Sequence, residues 1–234
     1  NSASATHTWL VDTTDPAVAI SDSPSDPNNS DAADFTVTSS DGGSGLASTT
    51  CELDGVAQAD CGGVVSGLAD GSHTFTATAT DDAGNSASAS HTWVVDTTAP
   101  SATIDSNPAD NNNDNDAATF TFSGDDGSGV GGITFECSFD GGAYAACASG
   151  DDMGNDLADG THTFDVKASD SLGNTGSAAS YSWLVDTTAP TVSISDTPAA
   201  ETNSQAADVT VTSADGGSGL ASTTCTIDNG ATTC

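Results

Sequence analysis

Apolar and polar residues alternate along most of this chain, in short runs broken by turn residues. The clearest run is His73-Thr74-Phe75-Thr76-Ala77-Thr78-Ala79-Thr80. A period of two puts Phe75, Ala77 and Ala79 on one face and the threonines on the other, which predicts a strand with a buried and a solvated side. Phe35-Thr36-Val37-Thr38 reads the same way, and short strands are predicted at 17–20 and 49–53. After Leu53, Asp54-Gly55 signals a hairpin that closes by Cys61. Asp41-Gly42-Gly43-Ser44-Gly45, Asp70-Gly71 and Asp81-Asp82-Ala83-Gly84-Asn85 are further breaks, and a final strand runs to Trp93. No segment carries the 3.6-residue period of an amphipathic helix.

This order of elements recurs. Trp9-Leu10-Val11-Asp12-Thr13-Thr14-Asp15-Pro16 returns as Trp93–Pro100 and again as Trp183–Pro190, so that Asp12, Asp96 and Asp186 lie 84 and 90 residues apart. A fixed period of this size means tandem copies of one folding unit. Residues 1–11 match 85–95 and are expected to form the last strand of a preceding repeat. Residues 12–95 and 96–185 read as two complete repeats and 186–234 as a truncated third, in a chain expected to be a segment of something longer. The third copy follows the first closely: Thr210–Cys225 nearly repeats Thr36–Cys51. Seven or so short strands per unit, with turns every eight to twelve residues, predict an all-β fold of tandem immunoglobulin-like β-sandwich domains.

Composition sharpens this picture. Aromatic residues are only 5%, so each core must be thin. There are 34 acidic residues against one basic residue, Lys167, and only Glu52, Glu136 and Glu201 are glutamates. Aspartate favours turns and cation loops over regular elements, so the acidity sits in the loops. A formal charge of −33 excludes nucleic acid as a partner, because phosphate recognition needs Lys and Arg. No apolar run is long enough to span a membrane. Repulsion among so many carboxylates is relieved by salt or by bound cations, and high-salt adaptation and calcium each account for it.

Six cysteines fall in three pairs, Cys51/Cys61, Cys137/Cys147 and Cys225/Cys234. One pair per repeat, placed alike, reads as one local disulfide per domain and an oxidising compartment. A zinc site would need a closer Cys spacing or a nearby His. Closing so short a loop stabilises by roughly 3 kcal/mol at most.

Phe135-Glu136-Cys137-Ser138-Phe139-Asp140-Gly141-Gly142-Ala143-Tyr144-Ala145-Ala146-Cys147, Asp159–Phe164, Ser169–Asn174 and Trp183–Pro190 together resemble the bacterial immunoglobulin-like tandem repeats of giant secreted and surface proteins of the adhesin type. The resemblance covers nearly the whole chain. It implies a disulfide that staples the C–C′ hairpin rather than bridging the two sheets, and roles as stalks, adhesins or appendages to enzymes.

In such a sandwich three acidic loops meet at one end. They bring together Asp12, Asp41, Asp81, Asp82 and Asn85 in the first repeat, Asp96, Asp125, Asp126, Asp170 and Asn174 in the second, and Asp186 and Asp215 in the third. Oxygen ligands from several loops, with glycines allowing tight turns, suit calcium, which takes six to eight oxygens. The resemblance likewise implies calcium at each domain junction, and the competing explanation is that these Asp and Asn residues only cap turns. The loops at 22–31 and 105–116 are expected to be solvated and flexible, at the opposite end. His7, His73, His91 and His162 occupy two pairs of equivalent positions, and repetition points to packing rather than catalysis. Adjacent Asp81-Asp82 cannot flank a glycosidic bond. Trp9, Trp93 and Trp183 are expected to pack in cores or against junctions.

The sequence therefore points to a non-enzymatic structural segment of a long extracellular or cell-surface fibre, giving extension and rigidity, with calcium as its cofactor. Its partners are neighbouring repeats of the same chain and other copies in a filament. The alternatives are an adhesin region binding a glycan or host surface, for which the insert at 149–156 is the best contact, and a passive spacer in a secreted enzyme.

Overall fold

The computed structural model describes residues 2–110, 118–127, 130–152, 156–200, 203, 208–227 and 230–232. The chain divides into two compact units. The first holds Asn1–Pro100 with the loops Asp126–Ile133 and Ser169–Thr175, and the second holds Ser101–Asp125, Thr134–Ala168 and Gly176–Cys234.

The first unit contains β1 (Ala17–Asp22), β2 (Ala33–Ser40), β3 (Leu46–Leu53), β4 (Val56–Ala57), β5 (Gly63–Val65), β6 (Gly71–Asp81) and β7 (Ser86–Val95). They form two antiparallel sheets, β1-β2-β5 and β4-β3-β6-β7. This is the strand distribution of an immunoglobulin-like sandwich. The alternation along β6 decides its orientation: Phe75, Ala77, Ala79 and Asp81 are buried, and the intervening threonines are only partly covered. Between the sheets, Phe35 of β2 stacks on Phe75 of β6 with ring centroids 4.0 Å apart, and Trp93 of β7 lies tilted 5.4 Å from Phe35. Ala33, Cys51, Ala77 and Val95 complete a core in which small residues alternate with three large rings. Burying each ring contributes roughly 2–3 kcal/mol, which suits a sandwich with few other large apolar residues.

The β3–β4 turn has Asp54 at φ 51° and Gly55 at φ 79°. Two left-handed residues in a row are what a tight hairpin requires. The turn brings Cys51 and Cys61 to a Cα separation of 5.2 Å, and they are disulfide-bonded.

In the second unit, β8 (Ser101–Ser106), β9 (Thr121–Asp125), β10 (Thr134–Phe139), β11 (Ala145–Ala146), β12 (Gly160–Ser169) and β13 (Ala179–Val185) repeat the plan. The sheets are β8-β9 and β11-β10-β12-β13, and a single bridge from Thr119 to Asp152 stands where β5 stood before. Phe120 stacks on Phe164 at 4.1 Å and meets Trp183 edge-on at 5.2 Å. Cys137 and Cys147 form the corresponding disulfide. The third copy supplies two antiparallel pairs, β14 (Thr191–Ser195) with β15 (Thr210–Ala214) and β16 (Cys225–Ile227) with β17 (Gly230–Thr232). Cys225 is disulfide-bonded, and Cys234 lies outside the described residues. So do parts of the loops at 105–116 and 149–156.

Two expectations are corrected. Residues 2–11 form no strand, and Trp9, Leu10 and Val11 are 75%, 71% and 73% exposed. Alternation yields a strand only where a partner strand completes its ladder, and none pairs with this stretch among the described residues. The 22–31 loop is not free either. Asn28 bonds through its backbone to Val94 and Asp96, Asp26 accepts from the Val94 N–H, and the Pro24 carbonyl meets His91. This loop satisfies the outer edge of β7, whose backbone groups would otherwise be unpaired.

Candidate metal centre

Each repeat delivers carboxylates to one place by the same local rules. Asp12, Asp41 and Asp81 each offer an oxygen, and the three oxygens lie within 4.8 Å of one another. Asp96, Asp126 and Asp170 form an equivalent triad under the same limit. Both lie in the first unit, which includes the 126–133 and 169–175 loops.

Hydrogen bonds to loop backbone hold every carboxylate of the first triad. Asp12 accepts from the N–H of Thr14 (3.0 Å) and of Ser44 (2.7 Å). Asp41 accepts from the N–H groups of Gly43 and Gly45. Asp81 accepts from the Asn85 N–H and side-chain amide, both at 2.8 Å. The glycine at 43 is structural, since a Cβ there would overlap the Asp12 carboxylate, and Gly217 stands in the same relation to Asp186. In the second triad, Asp96 accepts from the Thr98 N–H, and Asp170 accepts from Leu172 and from the backbone and side chain of Asn174.

Burial is deep for three of the six: Asp81 is 2% exposed, Asp96 0% and Asp170 5%. Burial pushes the Asp81 and Asp170 carboxyls up, but the amides of Asn85 and Asn174 and nearby backbone N–H groups outweigh it and leave both below the usual carboxylate range. The Ser44 and Thr14 N–H groups hold Asp12 low as well. These groups therefore stay ionised side by side. At such separations like charges repel by more than thermal energy even at the dielectric of a protein surface. The chain has one Lys or Arg, Lys167, and its ammonium lies 3.6 Å over the Tyr144 ring. An all-oxygen donor set of carboxylates fits a hard divalent cation such as calcium.

Other sequence candidates take different positions. Asn85 and Asn174 enter as donors, each giving one amide hydrogen to the buried aspartate and one to the carbonyl of Asp12 or Asp96. Asp82 is exposed, with its N–H on the Gly45 carbonyl, and Asp125 sits within β9, paired with Ser101. Asp186 is 8% exposed and accepts from Thr188 and Ser218, and Asp215 offers an oxygen that is buried without a hydrogen bond among the described residues. The third repeat shows no carboxylate triad among the described residues.

The Thr-Thr of the recurring Asp-Thr-Thr motif has a role that sequence reasoning missed. Asp70 accepts from the N–H and hydroxyl of Thr97 (both 2.8 Å) and from the Thr98 hydroxyl. Asp159 clasps Thr187 and Thr188 in the same way. These bonds hold both aspartates below the usual range, the Thr98 and Thr188 hydroxyls contributing most. The available signal was the coincidence of Ala-Asp-Gly at 69–71 and 158–160 with a Thr-Thr pair 27 or 28 residues on.

One comparison with known protein families agrees with this architecture. A family model described as a bacterial Ig-like domain (group 3) matches residues 153–220. No curated protein matches the chain. Among solved structures it is similar to the fibronectin(III)-like modules of Clostridium thermocellum CbhA, at 16% identity and a TM-score of 0.36, over 72% of this chain and 94% of that one. It is also similar to dimeric latent PorU from Porphyromonas gingivalis, at 18% identity and a TM-score of 0.27, over 75% of this chain and 21% of that one. The all-β order, the two-sheet sandwiches and the family match together make the fold immunoglobulin-like.

Proposed function

We propose that this chain is a structural segment of a long extracellular or cell-surface fibre, built from repeats at 12–95, 96–185 and 186–234, and that calcium held by the aspartate triads fixes the loops of the first two. The observation that carries the reading is the pair of equivalently built aspartate triads in a chain with a single Lys or Arg. A cation relieves their repulsion and ties three separate loops of the fold to one point. The hairpin disulfides support an oxidising location outside the cytoplasm. Repetition of the same polar devices in successive domains supports a mechanical role over a single dedicated binding site.

Calorimetric titration of the whole chain with calcium tests the metal reading. Two sites are expected, with one lost in Asp41→Asn and the other in Asp126→Asn. Absence of binding heat and of any change in melting temperature with calcium sinks that part of the reading. Labelling of intact producing cells by antibody against the chain tests its location.

A further inference from the structure

The two complete repeats share a second polar device, distinct from the carboxylate triads. His73 is placed by the first residues of β6 above the Trp93 ring, 5.6 Å away. Its Nδ1 meets Asp54 Oδ2 at 2.7 Å and its Nε2 meets the Ala69 carbonyl at 2.7 Å. In the second sandwich His162 meets Asp140 at 2.8 Å and the Ala158 carbonyl at 2.9 Å, above Trp183 at 5.7 Å. A carboxylate and a backbone carbonyl are both acceptors, and a neutral imidazole has only one N–H. Two short bonds to two acceptors require both ring nitrogens to carry protons.

The same aspartate also accepts the N–H of the residue after the histidine, Thr74 or Thr163, at 2.8 Å. Each histidine thus ties the β3–β4 or β10–β11 hairpin to the loop before β6 or β12. The residue after the bonded carbonyl is Asp70 or Asp159, the clasp that grips the threonine pair leaving the domain. The charged group that meets His73 is Asp54 on the hairpin, with the neutral Trp93 ring on the β7 side. At His162 it is Asp140, with Phe139 and Trp183 as the packed rings.

We propose that His73 and His162 are built-in protonation locks: as imidazolium ions they brace the loop that carries the threonine clasp, and their deprotonation loosens that clasp. Losing one proton leaves a ring lone pair facing either the carboxylate or the carbonyl, so one of the two bonds must break. The Ala69 carbonyl and the Asp54 carboxylate raise the His73 pKa above 6.5, and at His162 the same two kinds of partner outweigh the opposing effect of burial. The lock is therefore closed below pH 6.5 and opens as pH rises through the higher folded value.

Nitrogen-15 NMR of the full chain tests this directly. Both ring nitrogens of His73 and His162 should report N–H below pH 6.5, with midpoints above that value. Hydrogen-exchange protection of the Thr97 and Thr187 amides, corrected for intrinsic exchange, should fall several-fold as those midpoints are passed. Asp54→Asn should lower the His73 midpoint and reduce Thr97 protection while leaving His162 and Thr187 unchanged. A neutral tautomer below pH 6.5, or Thr97 protection that ignores both pH and Asp54→Asn in a chain that remains folded, overturns the proposal.

Discussion

The strands β6 and β12 begin alike and then diverge. His73-Thr74-Phe75 and His162-Thr163-Phe164 are identical, after which Thr76-Ala77-Thr78 stands against Asp165-Val166-Lys167. The divergence is outward at the first and third of these positions, while Ala77 and Val166 are both buried. On β6, Thr74 pairs with Thr92 at 3.0 Å and Thr78 with Ser88 at 2.9 Å across to β7. On β12, Thr163 still pairs with Ser182, but Lys167 has turned to the Tyr144 ring. Inward, the ring trio keeps its geometry, with Phe–Phe centroids at 4.0 and 4.1 Å and Phe–Trp centroids at 5.4 and 5.2 Å. The histidine brace, the threonine clasp and the Asp–Asn loop also recur with matching partners. The fold is thus specified by three rings and three polar devices, while the outer sheet face is free to vary.

The largest break in this comparison comes from the trio. Trp93→Ala or Trp183→Ala should each destabilise its own sandwich by about 3–5 kcal/mol, read by chemical denaturation. Replacing both cysteines of one hairpin by serine, Cys51 with Cys61 or Cys137 with Cys147, should cost about 2–3 kcal/mol, less than the ring because the closed loop is short. Asp70→Ala should leave the core intact and raise hydrogen exchange at Thr97 several-fold, with Asp159→Ala doing the same at Thr187.

A smaller effect is set by pH. The raised pKa of His73 contributes stability that is whole below its unfolded value of 6.5 and is lost as pH rises through the folded value. Asp54, held low chiefly by His73, contributes stability present above 3.8 and lost as pH falls through its lower folded value. Denaturation midpoints should therefore decline on the alkaline side of 6.5, and His73→Gln should remove part of that slope. Least of all, transplanting the second face onto the first by Thr76→Asp with Thr78→Lys should change stability by no more than about 0.5 kcal/mol.

Much of this architecture was legible before any coordinates. Period-two runs located β2 and β6, and Asp54-Gly55 marked its hairpin because few residue pairs tolerate two left-handed positions. The gathering of Asp12 with Asp41 and Asp81 followed from knowing which loops of a sandwich share an end. Orientation was less accessible. Asn85 was expected as an oxygen ligand, and nothing in the sequence shows that its amide hydrogens also hold Asp81 and the Asp12 carbonyl. The strand expected at 1–11 failed because alternation describes a face and not the partner that makes it a strand. The clasp and the brace were missed because Asp70 lies far from Thr97 along the chain, and Asp54 from His73, so only folding reveals their contact.

The most direct test of the account is calcium titration of the whole chain by calorimetry, beside Asp126→Asn. The account predicts two binding events in the parent chain, one in the variant, and a higher melting temperature on loading in each. A chain that binds no calcium, or that melts at the same temperature with calcium and with chelator, would contradict it and leave the triads as turn caps held apart from any cation.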